Sequence, residues 1–365
     1  MQRAVARVNL AAIERNVARL RARTGPGVDV CAVVKADGYG HGAVPAARAA
    51  LAGGATWLAV AAAGEAAALR AAGIGARLLV LGALTREELA VALDAGADIV
   101  AWRTEFVEAI ARPARVHVKL DTGMGRLGTR DPAEATAVAE AVAAAPHLEL
   151  AGAMTHFATA DEAGDAFFGE QLARFRAWAP QLRDRHPGLV LHAANSAAML
   201  RDARAHFDLV RPGVAIYGLD PFQRDPADHG LEPALELRSY VAEVKPCAAG
   251  DSVGYGRRFV AREATTIATV PIGYGDGVRR ALTNNADVVV RGRRFPLTGT
   301  VSMDNVTLDL GADGGGVRRG DDALLIGGGV TAEEWARRLG TINYEITCAL
   351  TPRVPRAYHR DGVPA

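Results

Sequence analysis

The chain has little cysteine, no surplus of either charge and no long apolar run, and each shortage closes off a class of function. Its three cysteines, Cys31, Cys247 and Cys348, are odd in number and far apart. With no Cys-x-x-Cys pair and no histidine-rich spacing they suggest neither a disulfide framework nor a metal site, and they read as reduced thiols. Lysine and arginine number 42 against 41 acidic residues, so the basic footprint of a nucleic-acid binder is missing. Arg, Glu or Asp interrupts every Ala-Val-Leu stretch before it reaches the roughly 20 residues that span a bilayer. The opening MQRAVARVNLAAIERN lacks the apolar middle of a secretory signal. The expectation is a cytoplasmic protein with no nucleic-acid or membrane partner.

What is present is core-forming sequence. The 365 residues are 50% hydrophobic, enough for a large core and for two domains at roughly 150 residues each. From about residue 28 to 212, β-rich runs (VDVCAVV, TWLAVAA, ARLLVLG, ADIVAW, RVHVKL, LELAGAMTHF, LVLHAANS, FDLVRPG) alternate with amphipathic stretches such as TREELAVALDAG and DPAEATAVAEAVAAA. A Thr or Asp stands where each of these two helices needs a cap. Eight such repeats, with strands apolar on both faces, predict an α/β fold: an N-terminal (β/α)8 TIM-like barrel over residues 10–230. Beyond it, alternating segments such as LELRSYVAEVK, ATTIATVPIG, ADVVVRG and GTVSMDNVTLDL predict a mostly antiparallel β domain over residues 231–365. Only TAEEWARRLG reads as clearly helical there, and residues 1–9, with the first strand VARVNL, are expected to contribute a strand to this domain.

In a (β/α)8 barrel, reactive residues lie at the C-terminal ends of the strands. Read off in order, those ends carry Lys35, then Lys119, Asp121 and Arg126, then His156, then Asn195 and Ser196, then Arg211 and Gly213. The Ser196 hydroxyl and the backbone N–H groups around Gly213 and Val214 have the chemistry of a phosphate cradle, after strands seven and eight where such barrels place one. A lysine opposite a phosphate site suggests pyridoxal 5′-phosphate, its phosphate anchored at one end and its aldehyde held by Lys35.

Seven blocks make the chain resemble the alanine racemases: AVVKADGYGHG, HVKLDTGMGRLG, THFA, HAANSAA, RPGVAIYG, VPIGYGDG and TVSMDN, in order over nearly the whole length. The resemblance implies that Lys35 forms the Schiff base with the cofactor and acts as one of two acid/base groups, with Tyr274 as the other. Racemisation removes a proton from one face of Cα and returns it on the other, which two groups accomplish most simply. Tyr39 and Ser196, with the amides of Gly213 and Val214, are similar to the family's phosphate ligands, and Asn195 belongs to the same cofactor segment. His156 and Arg211 match the relay to the tyrosine. Arg211 also matches the arginine that faces the pyridine nitrogen, where a permanently protonated group donates without protonating the ring and so disfavours transamination. Arg126 and the N–H of Met303 resemble the substrate-carboxylate contacts, Asp304 the residue that orients its neighbours, and Lys119 a lysine that many members carry carbamylated. Unmodified, Lys119 beside Arg126 calls for a compensating anion. The resemblance further implies a head-to-tail homodimer with active sites shared between subunits, an alanine substrate, and D-alanine made for cell-wall peptidoglycan.

The chain departs from that pattern at three places. Pro352 stands before RVPR where many members have a tyrosine, and it offers neither hydroxyl nor N–H. Gly38 and Gly275 replace the more usual alanines. Three other readings share these residues: a racemase of serine or another small amino acid, a decarboxylase of the same two-domain fold, and a non-catalytic PLP-binding barrel. The decarboxylase reading wants an acidic group where Arg211 stands, and the non-catalytic one wants no β domain.

Overall fold

The computed structural model describes residues 2–365. The chain divides into two compact units, one of residues 13–222 with 229–231, the other of residues 2–12, 223–228 and 232–365. The opening strand β1 (Val5–Asn9) belongs to the second.

The first unit is the expected barrel. Its strands are β2 (Asp29–Val33), β3 (Trp57–Val60), β4 (Arg77–Val80), β5 (Asp98–Ala101), β6 (Ala114–Lys119), β7 (Leu148–Met154), β8 (Val190–His192) and β9 (Leu209–Val210). Parallel pairing runs from β2 to β8 in sequence order, and β9 pairs with β2. Asp208 N–H donates to Leu191 O at 3.0 Å and Arg211 N–H to Ala194 O at 2.8 Å, which brings β9 against β8 and completes the ring. The helices start where the sequence said. Thr85 caps Arg86–Asp94 in a capping box with Glu88, and Asp131 accepts from Ala133 N–H ahead of Pro132–Ala144.

One expectation fails inside the barrel. The strands are not apolar throughout, since Asp98 on β5, His117 on β6 and His192 on β8 are fully buried. Polar groups sealed from water must satisfy one another, and they do so in a manner taken up below.

In the second unit the first alternating segment splits. LELRSYVAEVK is two strands, β10 (Leu235–Tyr240) and β11 (Glu243–Cys247), in different sheets. The remaining strands are β12 (Ser252–Val253), β13 (Phe259–Val260), β14 (Thr265–Val270), β15 (Asp287–Val290), β16 (Arg293–Pro296), β17 (Val306–Asp309), β18 (Asp322–Ile326), β19 (Arg356–Arg360) and β20 (Val363–Pro364). They form a seven-stranded sheet ordered β16-β15-β18-β10-β1-β19-β20, a three-stranded sheet β11-β14-β17, and the pair β12-β13. Only β1–β19 is parallel. β1 buries Ala6 and Val8 and leaves its alternate residues half-exposed, the period of a strand with one face on the core. Of GTVSMDNVTLDL only Val306–Asp309 is strand, and a second helix, Asn343–Cys348, follows the expected one at Ala332–Leu339. Among the described residues no helix is long and apolar enough to cross a membrane, and no disulfide joins any of the three cysteines.

Candidate active site

β2 delivers Lys35, half-buried, to the C-terminal end of the barrel. The chain then does something that the sequence did not announce. Ala36, Asp37, Gly38 and Tyr39 have φ of 53°, 52°, 61° and 52°, four left-handed residues in a row. Each non-glycine residue so placed costs about 1–2 kcal/mol, so the turn needs support. Ala36 N–H donates to Glu65 Oε1 at 2.6 Å, Ala43 N–H to Asp37 Oδ1 at 2.9 Å and Gly42 N–H to Asp37 O at 2.8 Å. His41 stacks on Tyr217 with ring centroids 4.5 Å apart while its Nδ1 lies 2.9 Å from Tyr39 O. The result is a reversal tight enough to bury Tyr39 four residues after Lys35.

The Tyr39 hydroxyl ends beside Gly213. A Cβ built on Gly213 would lie 2.4 Å from Tyr39 Oη, so no other residue leaves room for that approach. Ser196 Oγ accepts from Gly213 N–H at 2.9 Å and from Ala215 N–H at 3.4 Å. Val214 N–H, at the start of a 3-10 turn, has no acceptor among the described residues. The Tyr39 and Ser196 hydroxyls and the Gly213 and Val214 amides therefore come together, a donor set that fits a phosphate without a metal. Asn195 does a different job in this segment: its carboxamide oxygen accepts from Ala198 N–H at 2.9 Å and caps the helix Ser196–Arg201.

Cations gather over the rest of the barrel mouth. Arg211 is buried, and its Nη2 donates to Thr155 O at 2.8 Å and to Ala193 O at 3.0 Å. Burial pushes its guanidinium down to about 10, still protonated at neutral pH. His156 Nδ1 lies 3.4 Å from Arg211 Nη2. Burial first, then Arg211 and Lys119, holds the His156 ring well below the usual histidine range, so it is neutral. Burial together with Arg211 and Arg126 pushes the Lys119 amine down to about 8. The compensating anion expected beside Lys119 is absent, for among the described residues no hydrogen bond or ion pair engages its side chain. Asp121, the nearest carboxylate in sequence, turns its oxygens to Gly123 N–H at 3.0 Å and Gly125 N–H at 3.0–3.1 Å. Arg126 is exposed, with its guanidinium likewise unengaged.

In the second unit, Tyr274 and Met303 are among the few large side chains left exposed. Backbone bonds fasten their two loops together: Tyr274 N–H to Ser302 O at 3.0 Å and Gly275 N–H to Met303 O at 2.9 Å. Met303 N–H has no acceptor among the described residues. Beneath Tyr274, the buried Asp276 carboxylate accepts from Gly273 N–H at 2.9 Å and from both terminal nitrogens of Arg3. Burial alone would raise that carboxyl, but the Arg3 and Gly273 hydrogen bonds hold it below its ordinary value. Arg353 Nη2 donates to Asp304 Oδ1 at 2.6 Å, tying the MDN loop to the segment that carries Pro352. A Cβ on Gly275 would lie 2.2 Å from Arg353 Nη1, the movable end of an exposed side chain, and 3.1 Å from Met303 O.

Comparison with known proteins assigns the family. The profile of the alanine racemase N-terminal domain matches residues 8–221, and that of the C-terminal domain residues 234–358. The chain belongs to the alanine racemase family. It is thereby placed among the isomerases. The alanine racemase of Frankia casuarinae is 46% identical, the match covering 98% of this chain and 96% of the relative. That of Thermobifida fusca is also 46% identical, covering 97% and 98%. Among solved structures, the alanine racemase of D-cycloserine-producing Streptomyces lavendulae superposes with a TM-score of 0.90 at 38% identity, covering 98% and 97%. The Bacillus anthracis alanine racemase with bound L-Ala-P gives 0.91 at 37%, covering 100% and 97%. For an alanine racemase fold, the groups that sequence reading missed are those behind the motifs. Gln171 Nε2 donates to His156 O and to Thr122 Oγ1, both at 3.2 Å, and Asp98, His117 and His192 back Arg211. A polar residue inside an apolar strand, as in RVHVKL and LVLHA, was the available signal.

Proposed function

We propose that this protein interconverts L- and D-alanine with pyridoxal 5′-phosphate as cofactor, Lys35 and Tyr274 serving as acid/base groups on opposite faces of the substrate Cα. The observation that carries the cofactor reading is the cradle at Gly213, where Tyr39, Ser196 and the Gly213 and Val214 amides would hold the phosphate, with Lys35 at the end of the same strand-turn unit that supplies Tyr39. When bound, the cofactor would supply an electron sink that acidifies the substrate α-proton.

The protein's own residues do the rest. Arg211, protonated and fixed by two carbonyls, would donate to the ring nitrogen without giving up its proton, since its pKa of about 10 lies far above that of a pyridine nitrogen. Arg126 and Met303 N–H, both unengaged, are suited to a substrate carboxylate. Neutral His156 would pass polarity between Arg211 and the tyrosine hydroxyl. An amine with a pKa near 8, as Lys119 has, is unprotonated in a far larger share of molecules near neutrality than an ordinary lysine, and that form adds to carbon dioxide with loss of one proton to give a carbamate. Such an anion would supply the charge that Lys119 and Arg126 otherwise lack. A head-to-tail homodimer, a cytoplasmic location and a D-alanine product destined for peptidoglycan belong to the same reading.

The test pairs two variants. Lys35→Ala is expected to lose both the visible absorbance of the bound cofactor and all racemisation. Tyr274→Phe is expected to keep that absorbance while racemisation falls by about 10²–10⁴, measured with a panel of L-amino acids in which alanine is the best substrate. Undiminished racemisation in both directions by Tyr274→Phe would overturn the two-base reading, and a better substrate than alanine would overturn the substrate.

A further inference from the structure

Behind Arg211 a row of hydrogen bonds crosses the barrel interior. Arg211 Nη1 lies 2.9 Å from His192 Nδ1, His192 Nε2 lies 2.9 Å from His117 Nδ1, and His117 Nε2 lies 3.1 Å from Asp98 Oδ2. All four side chains are buried. The row begins just after β9, at the C-terminal end of the barrel, and finishes on the first residue of β5, at the other end.

The position of every proton follows from the two ends. Arginine has only donors, so His192 Nδ1 accepts. An ionised Asp98 only accepts, so His117 Nε2 carries a proton and donates it. That leaves His117 Nδ1 as an acceptor, which receives the proton of His192 Nε2. Both rings are neutral Nε2–H tautomers, and no other assignment satisfies all three contacts. Arg77 Nε at 2.8 Å and Arg115 Nε at 2.6 Å hold Asp98 ionised. Burial pulls both histidine rings below their ordinary range, in agreement with neutral imidazoles.

The barrel makes room for this row. A Cβ on Gly152 of β7 would lie 2.1 Å from His117 Nδ1. At the same point the pairing of β6 with β7 slips, from Val116↔Leu150 to His117↔Gly152. A glycine and a bulge in one strand interior are what a ring of this size between strands requires.

We propose that Asp98 is a remote positioning residue for Arg211: by fixing the tautomers of His117 and His192 it holds the Arg211 guanidinium in the orientation that faces the cofactor ring. This rests on the role proposed above for Arg211. Asp98→Asn keeps the shape but lets the side chain donate to His117 Nε2. The row can then reverse, which leaves a His192 Nδ1–H facing Arg211. Gly152→Ala displaces His117 and changes no ionisable group.

The test has two readouts. Nitrogen-15 NMR of the histidine side chains is recorded on the purified protein with and without added pyridoxal phosphate. It is expected to show both rings as neutral Nε2–H tautomers, with at least one altered in Asp98→Asn. In steady-state racemisation, both variants are expected to lose about ten- to a hundredfold in kcat, the equivalent of one hydrogen bond to a charged group. KM should change little, and the yield of pyruvate from side transamination should rise. An Nδ1–H tautomer for His192, or an unchanged kcat and by-product yield in either folded variant, would overturn the proposal. If the protein failed to racemise alanine at all, the NMR readout would still decide the row, so the two failures are separable.

Discussion

The barrel mouth and the Tyr274 loop hold their candidate site residues by opposite means. In the barrel, Arg211 and Lys119 are buried with no carboxylate bonded to either among the described residues; two carbonyls and a neutral histidine fix the direction of Arg211, and desolvation lowers the pKa of both. In the β domain, Tyr274 and Met303 stand in the open, and what is buried is the anion beneath them, Asp276, clamped by Arg3. Buried cations without anions have shifted pKa values and wait for a negatively charged ligand. An exposed tyrosine on a pinned turn is only aimed. The first arrangement suits cofactor and carboxylate binding; the second suits a group that must reach a substrate and leave it.

Three changes would break or sharpen that contrast. The largest effect is expected from Gly213→Val, whose side chain would occupy the place of the Tyr39 hydroxyl. Cofactor retention after dialysis should fall by at least about a hundredfold, through the loss of two or more phosphate contacts at about 1.5–3 kcal/mol each, and full retention would show that the cradle lies elsewhere. Next comes pH. Lys119 titrates at about 8 in the fold against an ordinary 10.5, so between those values the unfolded chain binds a proton that the folded chain has released, and stability rises with pH. In bicarbonate-free buffer that rise should reach up to about 3 kcal/mol and be flattened in Lys119→Met; parallel denaturation profiles would remove Lys119 from the buried cations. The smallest effect belongs to Asp276→Asn, expected to lower stability by about 1–2 kcal/mol and kcat several-fold with cofactor retention unchanged. Because the Asp276 carboxyl is held below its ordinary value, its contribution is present above the unfolded pKa and lost as pH falls through the folded one. Weakened cofactor retention in Asp276→Asn would mean that the two regions are not independent.

Much of this was legible beforehand for a physical reason. Strand ends in a parallel barrel are defined by where apolar runs stop, so Lys35, His156, Ser196, Arg211 and Gly213 could be placed on one rim from pattern alone. Caps at Thr85 and Asp131 are local chemistry and appeared as read. The left-handed turn Ala36–Tyr39 was not legible, because alanine, aspartate and tyrosine do not ordinarily adopt positive φ and only the contacts of Glu65, Asp37 and His41 hold them there. LELRSYVAEVK looked continuous because alternation says which residues face inward, not which sheet they face inward from.

The sequence by itself determined the architecture and the family and named the candidate site residues, since periodicity, caps and motif order are local properties that survive in one dimension. Only the tertiary structure decided how those groups are charged and supported. Gly152 with His117, Gly213 with Tyr39, Arg3 with Asp276 and Asp98 with Arg211 are partnerships across tens to hundreds of residues. Protonation and tautomer depend on burial and on what stands opposite, and both exist only once the chain has closed on itself.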